Sequence, residues 1–458
     1  MKKLLVILVL LIVMVVLVVA LLPTRKASPA LTFPDGTIVR VVGATYGTNH
    51  LHGPILYRMV MHSPAFVRNA LQSTLARYPN WQQYHTPTPQ LVLWVDAQNV
   101  PTPSPTNPIR FYGTALGDES NRISGSVTAF FPAAATTRVL DNIEFEVFPR
   151  RSKTLSLNFF STWPSSESNL GNLRFDNPLA QEFPQWKPEP LPSRKTNGDV
   201  EFSLVWVETG LSEPNVLLAE ANHGIALQGV FKPRNGQTYT VLETRLHMLT
   251  NSDEAWKVGT TEISDATGNQ LTNLSVETTG WPADSHASIS ASLWPGEDAW
   301  KFKFLLRQSA GFSSNEIFVI HDVPLGAVGT TNLLGWNTNL PVSNWSSKFQ
   351  GITITLDYVA HRRPFNVLDP DSLGGTELQF TTSVLPRGTY LDLLWCTVDS
   401  TNYTQLGFFS DDGTRRSINF PSIPAAATKA DFAFAIHQAR SIEFIVHPEI
   451  PTHSMPGK

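Results

Sequence analysis

The stretch "TNHLHG" places His50 and His52 two residues apart. On a strand, residues i and i+2 share a face, so both imidazoles can reach one metal ion. Asp35 and His62 are the candidate third ligands. A metal site needs three or more ligands gathered in space, and a hydrogen-bonded polar loop is the plain alternative. No other cofactor is expected. Two loops, "LDPDSLGG" at 368–375 and "FSDDGT" at 409–414, bunch carboxylates beside glycine. Oxygen-rich loops of that kind can hold calcium, but neither has EF-hand spacing, and ordinary turns explain both.

Hydrolytic signatures are absent. Neither G-x-S-x-G nor H-E-x-x-H occurs, and there is no glycine-rich phosphate loop. The single cysteine, Cys396, follows Trp395 in "LDLLWCTVD" and reads as a buried, inert thiol. The 12 tryptophans are the other chemical resource, because a tryptophan on a sheet face can stack a sugar ring. Strand phase sorts three of them. Trp206 shares a face with Phe202 and Leu204, and Trp395 with Leu391 and Leu393, which predicts core positions. Trp94 lies opposite Leu91, Leu93 and Val95 and is the candidate exposed, ligand-binding tryptophan.

The elements that must position these residues are strands. "NIEFEVF", "KTLSLNF", "KFKFL", "ITITLDY", "DFAFAI" and "SIEFIV" alternate apolar and polar side chains, as half-buried strands do. One segment differs: residues 63–78 carry an N-cap Ser63, Pro64 at the first helical position and an apolar stripe through Phe66, Val67, Ala70, Leu71 and Leu75. It reads as one short amphipathic helix.

The strand units repeat. "PAAAT" occurs at 132–136 and again at 424–428, each time ahead of an alternating strand. Tryptophan-bearing strands lie upstream: "LVLWVDAQN", "SLVWVETG" and "DLLWCTVDS". Polar turns and an aromatic-proline pair intervene before "FEVFPRR", "WKFKFLLRQ" or "FAFAIHQAR". The expected architecture is mostly β: an N-terminal transmembrane helix, then two or three β-sandwich modules of loosely immunoglobulin-like design without the usual cysteine pair. The boundaries read as an anchor at 1–28, a module at 31–165 with the helix, a Pro-rich linker at 166–198, and modules at 199–326 and 345–458.

The stretches "FPDGT" (33–37), "GATYGTNH" (43–50) and "LWPGEDAWKFKF" (293–304) resemble those of bacterial membrane-anchored or secreted β-sandwich proteins. The resemblance covers most of the chain loosely and implies no activity.

Residues 4–22 are unbroken apolar sequence, close to the ~20 residues needed to span a bilayer core. Lys2 and Lys3 precede the run, and Arg25 and Lys26 follow it. Apolar residues continue past Val18 and Ala20, and Pro29 discourages cleavage after Ser28, so an uncleaved anchor is expected. Its lipid partner is the bilayer along 4–22, and the bulk of the chain is expected outside the cytoplasm. The net charge of -4 and the lack of a basic stripe argue against a nucleic-acid partner. A protein or carbohydrate ligand suits the tryptophan content. The expected role is binding or cell-envelope structure, the alternative being an anchored hydrolase of polysaccharide or another extracytoplasmic substrate. N-terminal sequencing of the membrane-fraction protein should read from Met1; a start between residues 21 and 29 would defeat the anchor.

Overall fold

The computed structural model describes residues 29–53, 65, 82–102, 112–117, 122–125, 129–130, 137–161, 168–179, 181–211, 239–249, 256–275, 277–279, 284–289, 292–324, 336–338, 346–362, 375–386, 388–398, 401–404, 407–411, 415–421 and 427–450. The anchor segment and, apart from Ala65, the expected helix at 63–78 lie outside them. Among the described residues no helix is long and apolar enough to cross a membrane. They form a mostly β structure of antiparallel sheets.

The first unit contains β1 (Ala30–Thr32), β2 (Ile38–His52), β3 (Gln82–Gln98), β4 (Tyr112–Gly117), β5 (Arg122–Ser124), β6 (Val139–Phe145), β7 (Thr154–Ser161) and β8 (Ser168–Asp176). They make two sheets, ordered β1-β2-β3-β6 and β5-β4-β7-β8. Alternate residues Leu91, Leu93, Val95 and Ala97 of β3 and Leu155, Leu157 and Phe159 of β7 meet in one buried cluster with Ile143 and Phe145. The period-two pattern therefore does what it predicts: one face of each sheet lies on a core.

The second unit contains β9 (Ser193–Asn197), β10 (Val200–Leu211), β11 (Tyr239–Met248), β12 (Trp256–Asp265), β13 (Gln270–Ser275), β14 (Glu277–Thr279), β15 (Asp284–Ile289) and β16 (Trp300–Gln308). The third contains β17 (Ile317–Pro324), β18 (Trp336–Thr338), β19 (Ser346–Phe349), β20 (Ile352–Arg362), β21 (Gly375–Thr382), β22 (Thr389–Val398), β23 (Thr401–Thr404), β24 (Gly407–Asp411), β25 (Arg415–Pro421) and β26 (Lys429–Gln438). The last strand, β27 (Arg440–Val446), leaves the third unit and pairs with β16. The sheets of the second unit run β14-β15-β11-β10-β9 and β13-β12-β16-β27. Those of the third run β17-β26-β22-β23 and β18-β20-β21-β25-β24, with β19 on β20. Each unit has its own apolar cluster.

Strand membership departs from the expected boundaries. The third unit is inserted between β16 and β27, so β17 belongs with it and "SIEFIV" does not. Alternation shows that a strand has a buried face but not which sheet buries it. Of the expected linker, residues 168–176 are β8 and 193–197 are β9. Between them Glu189 binds the β27 backbone through its own N–H to Ile445 O at 2.8 Å.

The outer units pair their tryptophan-bearing strands alike, and the middle unit does not. Trp94 of β3 faces Asn142 of β6, and Trp395 of β22 faces Ala433 of β26. In the second unit Trp206 of β10 faces Glu243 of β11, while β16 lies in the other sheet. Residues 132–136 lie outside the described residues, as does most of the second "PAAAT". Even the outer pair is not fully equivalent: β6 ends its sheet, whereas β26 has neighbours on both sides.

A buried polar joint ties the first two units. Arg150 is only 6% exposed. It donates to Asn269 Oδ1 at 2.9 Å, to the Thr267 carbonyl at 3.1 Å and to the Tyr46 hydroxyl at 2.9 Å. The Asn269 amide donates to the Phe148 carbonyl at 3.0 Å. Asp265 holds the receiving turn by accepting from the backbone N–H of Thr267 and of Asn269. The polar turn "SDATGN" is thus a socket. Beside it Arg151 meets Glu297 at 3.0 Å.

Phe145 and Phe434 are each 2% exposed and sit in different clusters. Replacing either with alanine should cost about 3–5 kcal/mol in denaturant unfolding. The double variant should show nearly additive losses, since the two rings share no partner. Strong coupling would mean one continuous core.

Candidate functional site

Among the described residues the histidine pair meets no third ligand. Asp35 is occupied elsewhere, accepting from the Thr37 N–H at 2.9 Å and the Tyr112 hydroxyl at 3.0 Å. His62 lies outside the described residues. Among the described residues no group of three or more His, Cys, Asp and Glu side chains is placed to hold a metal ion. His50 is fully buried, with Nδ1 2.9 Å from Thr45 Oγ1 and Nε2 3.3 Å from Thr86 Oγ1. Burial holds its imidazole below the usual histidine range. The residues of the calcium-type loops 368–375 and 409–414 lie largely outside the described set.

What the fold does bring together is His52 and Trp94, stacked with centroids 5.3 Å apart. Five extended residues would separate Thr45 from His50 by ~16 Å, so strand β2 must double back. The register shows where. Between the pairs Gly47–Gln90 and Asn49–His85, only Thr48 stands against residues 86–89. That stretch of β3, "TPTP", contains Pro87 and Pro89, which cannot donate to a ladder. The hairpin turns a corner there and brings its far end over the outer face of its own sheet. Trp94 does lie on the face away from the core, but it is 0% exposed, not the exposed stacking platform expected. Its indole N–H donates to Thr45 Oγ1 at 3.2 Å.

The other two tryptophans reverse their predicted faces. In β10 the register slips by one residue between Leu204 and Trp206, and in β22 between Leu393 and Trp395. A one-residue bulge moves everything beyond it to the opposite face. Leu204 and Leu393 stay in their cores, while Trp206 and Trp395 are half-buried outside them. Trp206 donates to Glu243 Oε2 at 2.7 Å. Cys396, one residue past the bulge, is buried, and burial pushes its thiol up to about 12, so it stays protonated at neutral pH.

Trp395 lines a cavity of about 380 Å³ between the second and third units. Lys257 of β12 and Arg307 of β16 contribute from one side, and Asp392, Leu393 and Leu394 of β22 from the other. The connecting segment 308–312 and Ile317 complete the wall. The volume falls in the small-molecule range of ~300–1,000 Å³.

One carboxylate organises this cavity. Asp392 Oδ1 accepts from Arg307 Nη2 at 3.1 Å, across the unit boundary. Its Oδ2 lies 2.8 Å from His437 Nε2, which therefore carries the proton of that bond. His437 is 3% exposed, and its Nδ1 is buried with no hydrogen-bond partner. Tyr390 stacks on His437 at 5.7 Å, and its hydroxyl is 3.2 Å from Thr260 Oγ1 in the second unit. Room for that hydroxyl comes from Gly259, the extra residue in a β12 bulge: a Cβ there would lie 3.2 Å from it.

Lys257 is held differently. Among the described residues its ammonium has no hydrogen bond or ion pair. Burial holds it below the usual lysine range, Arg307 adds to the depression, and Asp392 opposes it. The charged lining is thus two cations against one carboxylate whose two oxygens are both engaged.

No protein-family model and no curated protein matches the chain. A solved structure of the Plexin A4 full extracellular region aligns with 79% of this chain and 32% of that chain, at 11% identity and a TM-score of 0.13. A likeness of that size carries no argument about fold or function.

Sequence reasoning missed this site because its charged members come from four strands of two units. The signal was faint: Asp392 and His437 each interrupt an apolar stretch, "LDLL" and "AIHQ". Replacing Asp392 with asparagine should cost about 1.5–3 kcal/mol, because the charge-assisted bonds of the buried carboxylate to Arg307 and His437 would be lost. The check is urea unfolding of the variant beside the parent. A loss below about 1 kcal/mol would show that the carboxylate is dispensable to the joint.

Proposed function

We propose that the chain is a single-pass, membrane-anchored protein whose bulk lies outside the cytoplasm and whose role is binding or cell-envelope structure. In this reading its units are three β-sandwich modules of loosely immunoglobulin-like architecture. The reading further holds that the cleft between the second and third modules receives the ligand. The observation that carries it is that cleft, where a half-buried tryptophan, a lysine with no bonded partner among the described residues and a carboxylate already engaged by two neighbours line one cavity. Support for the sandwich reading comes from the apolar clusters, each drawn mainly from two antiparallel sheets. Support for the anchor comes from the apolar run at 4–22.

Binding is favoured over hydrolysis by the state of the charged groups. An acid–base pair requires two titratable groups that can reach a substrate. Among the described residues the one lining carboxylate, Asp392, has one oxygen on Arg307 and the other on His437.

Protease added to intact expressing cells should digest residues beyond the anchor, and full-length protein should co-sediment with isolated envelope polysaccharide. Trp395→Ala should weaken that co-sedimentation several-fold. Protection from external protease would defeat the location, and an unchanged Trp395→Ala would defeat the cleft as the binding site.

A further inference from the structure

We infer that the cleft between the second and third units is a site for a small carboxylic acid on a ring, its carboxylate meeting Lys257 and its ring face lying on Trp395. This deepens the reading of the cleft as a ligand site and rests on it.

The charge count sets the sign and size of the ligand's charge. Among the described lining residues Lys257 and Arg307 face one carboxylate, which leaves one positive charge in excess. Among the described residues no hydrogen bond or ion pair joins Lys257 to Asp392, whose oxygens accept from Arg307 and His437. A monoanion balances the site. A compact dianion would bring a second charge with no counter-charge, at a desolvation cost that only a full set of partners offsets.

The rest of the lining sets the ligand's body. Trp395, Phe312 and Ile317 give an apolar wall beside the cation. A flat ring face, aromatic or the C–H face of a sugar acid, covers such a wall while its carboxylate turns to the lysine. The volume of about 380 Å³ accommodates one ring and its substituents. The cavity also explains why a costly lysine stands there. Its charge is disfavoured in the folded, empty protein, both by burial and by Arg307, which is how binding residues that trade stability for function behave.

The sign of that cost is fixed. The folded-state pKa of Lys257 is depressed, so the penalty is full below the folded pKa and is relieved as pH rises through it toward the unfolded value. Lys257→Met should therefore raise the thermal midpoint of the empty protein at neutral pH.

The test is calorimetric titration of full-length protein in detergent with benzoate, glucuronate, benzyl alcohol and inorganic phosphate. Benzoate or glucuronate should bind saturably and at least tenfold more tightly than benzyl alcohol or phosphate, and which of the two acids is the tighter distinguishes an aromatic from a sugar source. Lys257→Met should weaken the acid at least tenfold while raising the midpoint, Lys257→Arg should restore much of the affinity, and Trp395→Ala should weaken the acid without changing the charge preference. Equal binding of benzoate and benzyl alcohol, or an acid unaffected by Lys257→Met, would overturn the carboxylate class and leave the cleft reading standing. Phosphate binding as tightly as the acids would overturn the ring requirement. No saturable heat with any probe would overturn both the inference and the reading beneath it.

Discussion

The ion pair between Arg307 and Asp392 joins two apolar cores that share no strand pairing in its neighbourhood. It forms at 3.1 Å between the end of β16 and the middle of β22. Breaking such a pair exposes no compensating partner, since both side chains are largely shielded from water. The same carboxylate orients His437, and His437 stacks with Tyr390, which reaches Thr260 across the boundary. This one carboxylate thus lines the cavity and links both units to its wall. A chain with a single cysteine has no intrachain disulfide to set such a joint, so buried charge takes that task.

The first joint uses a different chemistry for the same end. Arg150 is surrounded by neutral acceptors rather than a carboxylate: an amide, a backbone carbonyl and a phenol. Its ring neighbours Tyr46 and Phe148 lie within 4.8 and 5.1 Å of the guanidinium. A planar, delocalised cation tolerates this setting better than an ammonium would, because it spreads its charge over five donors and stacks on aromatic faces. Lys257, a compact and strongly hydrated cation, has no comparable set of partners in the second joint. That contrast is why one joint reads as structural and the other as a site.

Bulges accompany three of the tryptophans. The ladders of β3, β10 and β22 each have a one-residue slip at the tryptophan or directly opposite it: Val42 against Trp94, Val205 before Trp206 and Leu394 before Trp395. In every case the indole is kept out of the core, which smaller side chains fill. The three rings then take separate tasks: Trp94 lies under His52, Trp206 binds Glu243, and Trp395 lines the cavity. The loose repeat in sequence is therefore a repeat of backbone irregularity more than of contacts.

By itself the sequence determined the strands and most of their buried faces. Alternation placed Phe145, Leu157 and Phe434 in cores, as they are, because a pleated strand admits only two faces and water decides between them. It also determined that Cys396 is buried among apolar neighbours. Tertiary structure alone decided the faces of Trp206 and Trp395, because an extra residue in one strand becomes a bulge only against a given partner. It decided that Trp94 is covered, because the proline-marked corner of β3 carries His52 back onto it. It decided that β27 closes the second unit, because alternation carries no partner information. And it decided the site: Lys257, Arg307, Asp392 and His437 come from four strands of two units, and the energy of a charge depends on distance in space, not on any spacing along the chain.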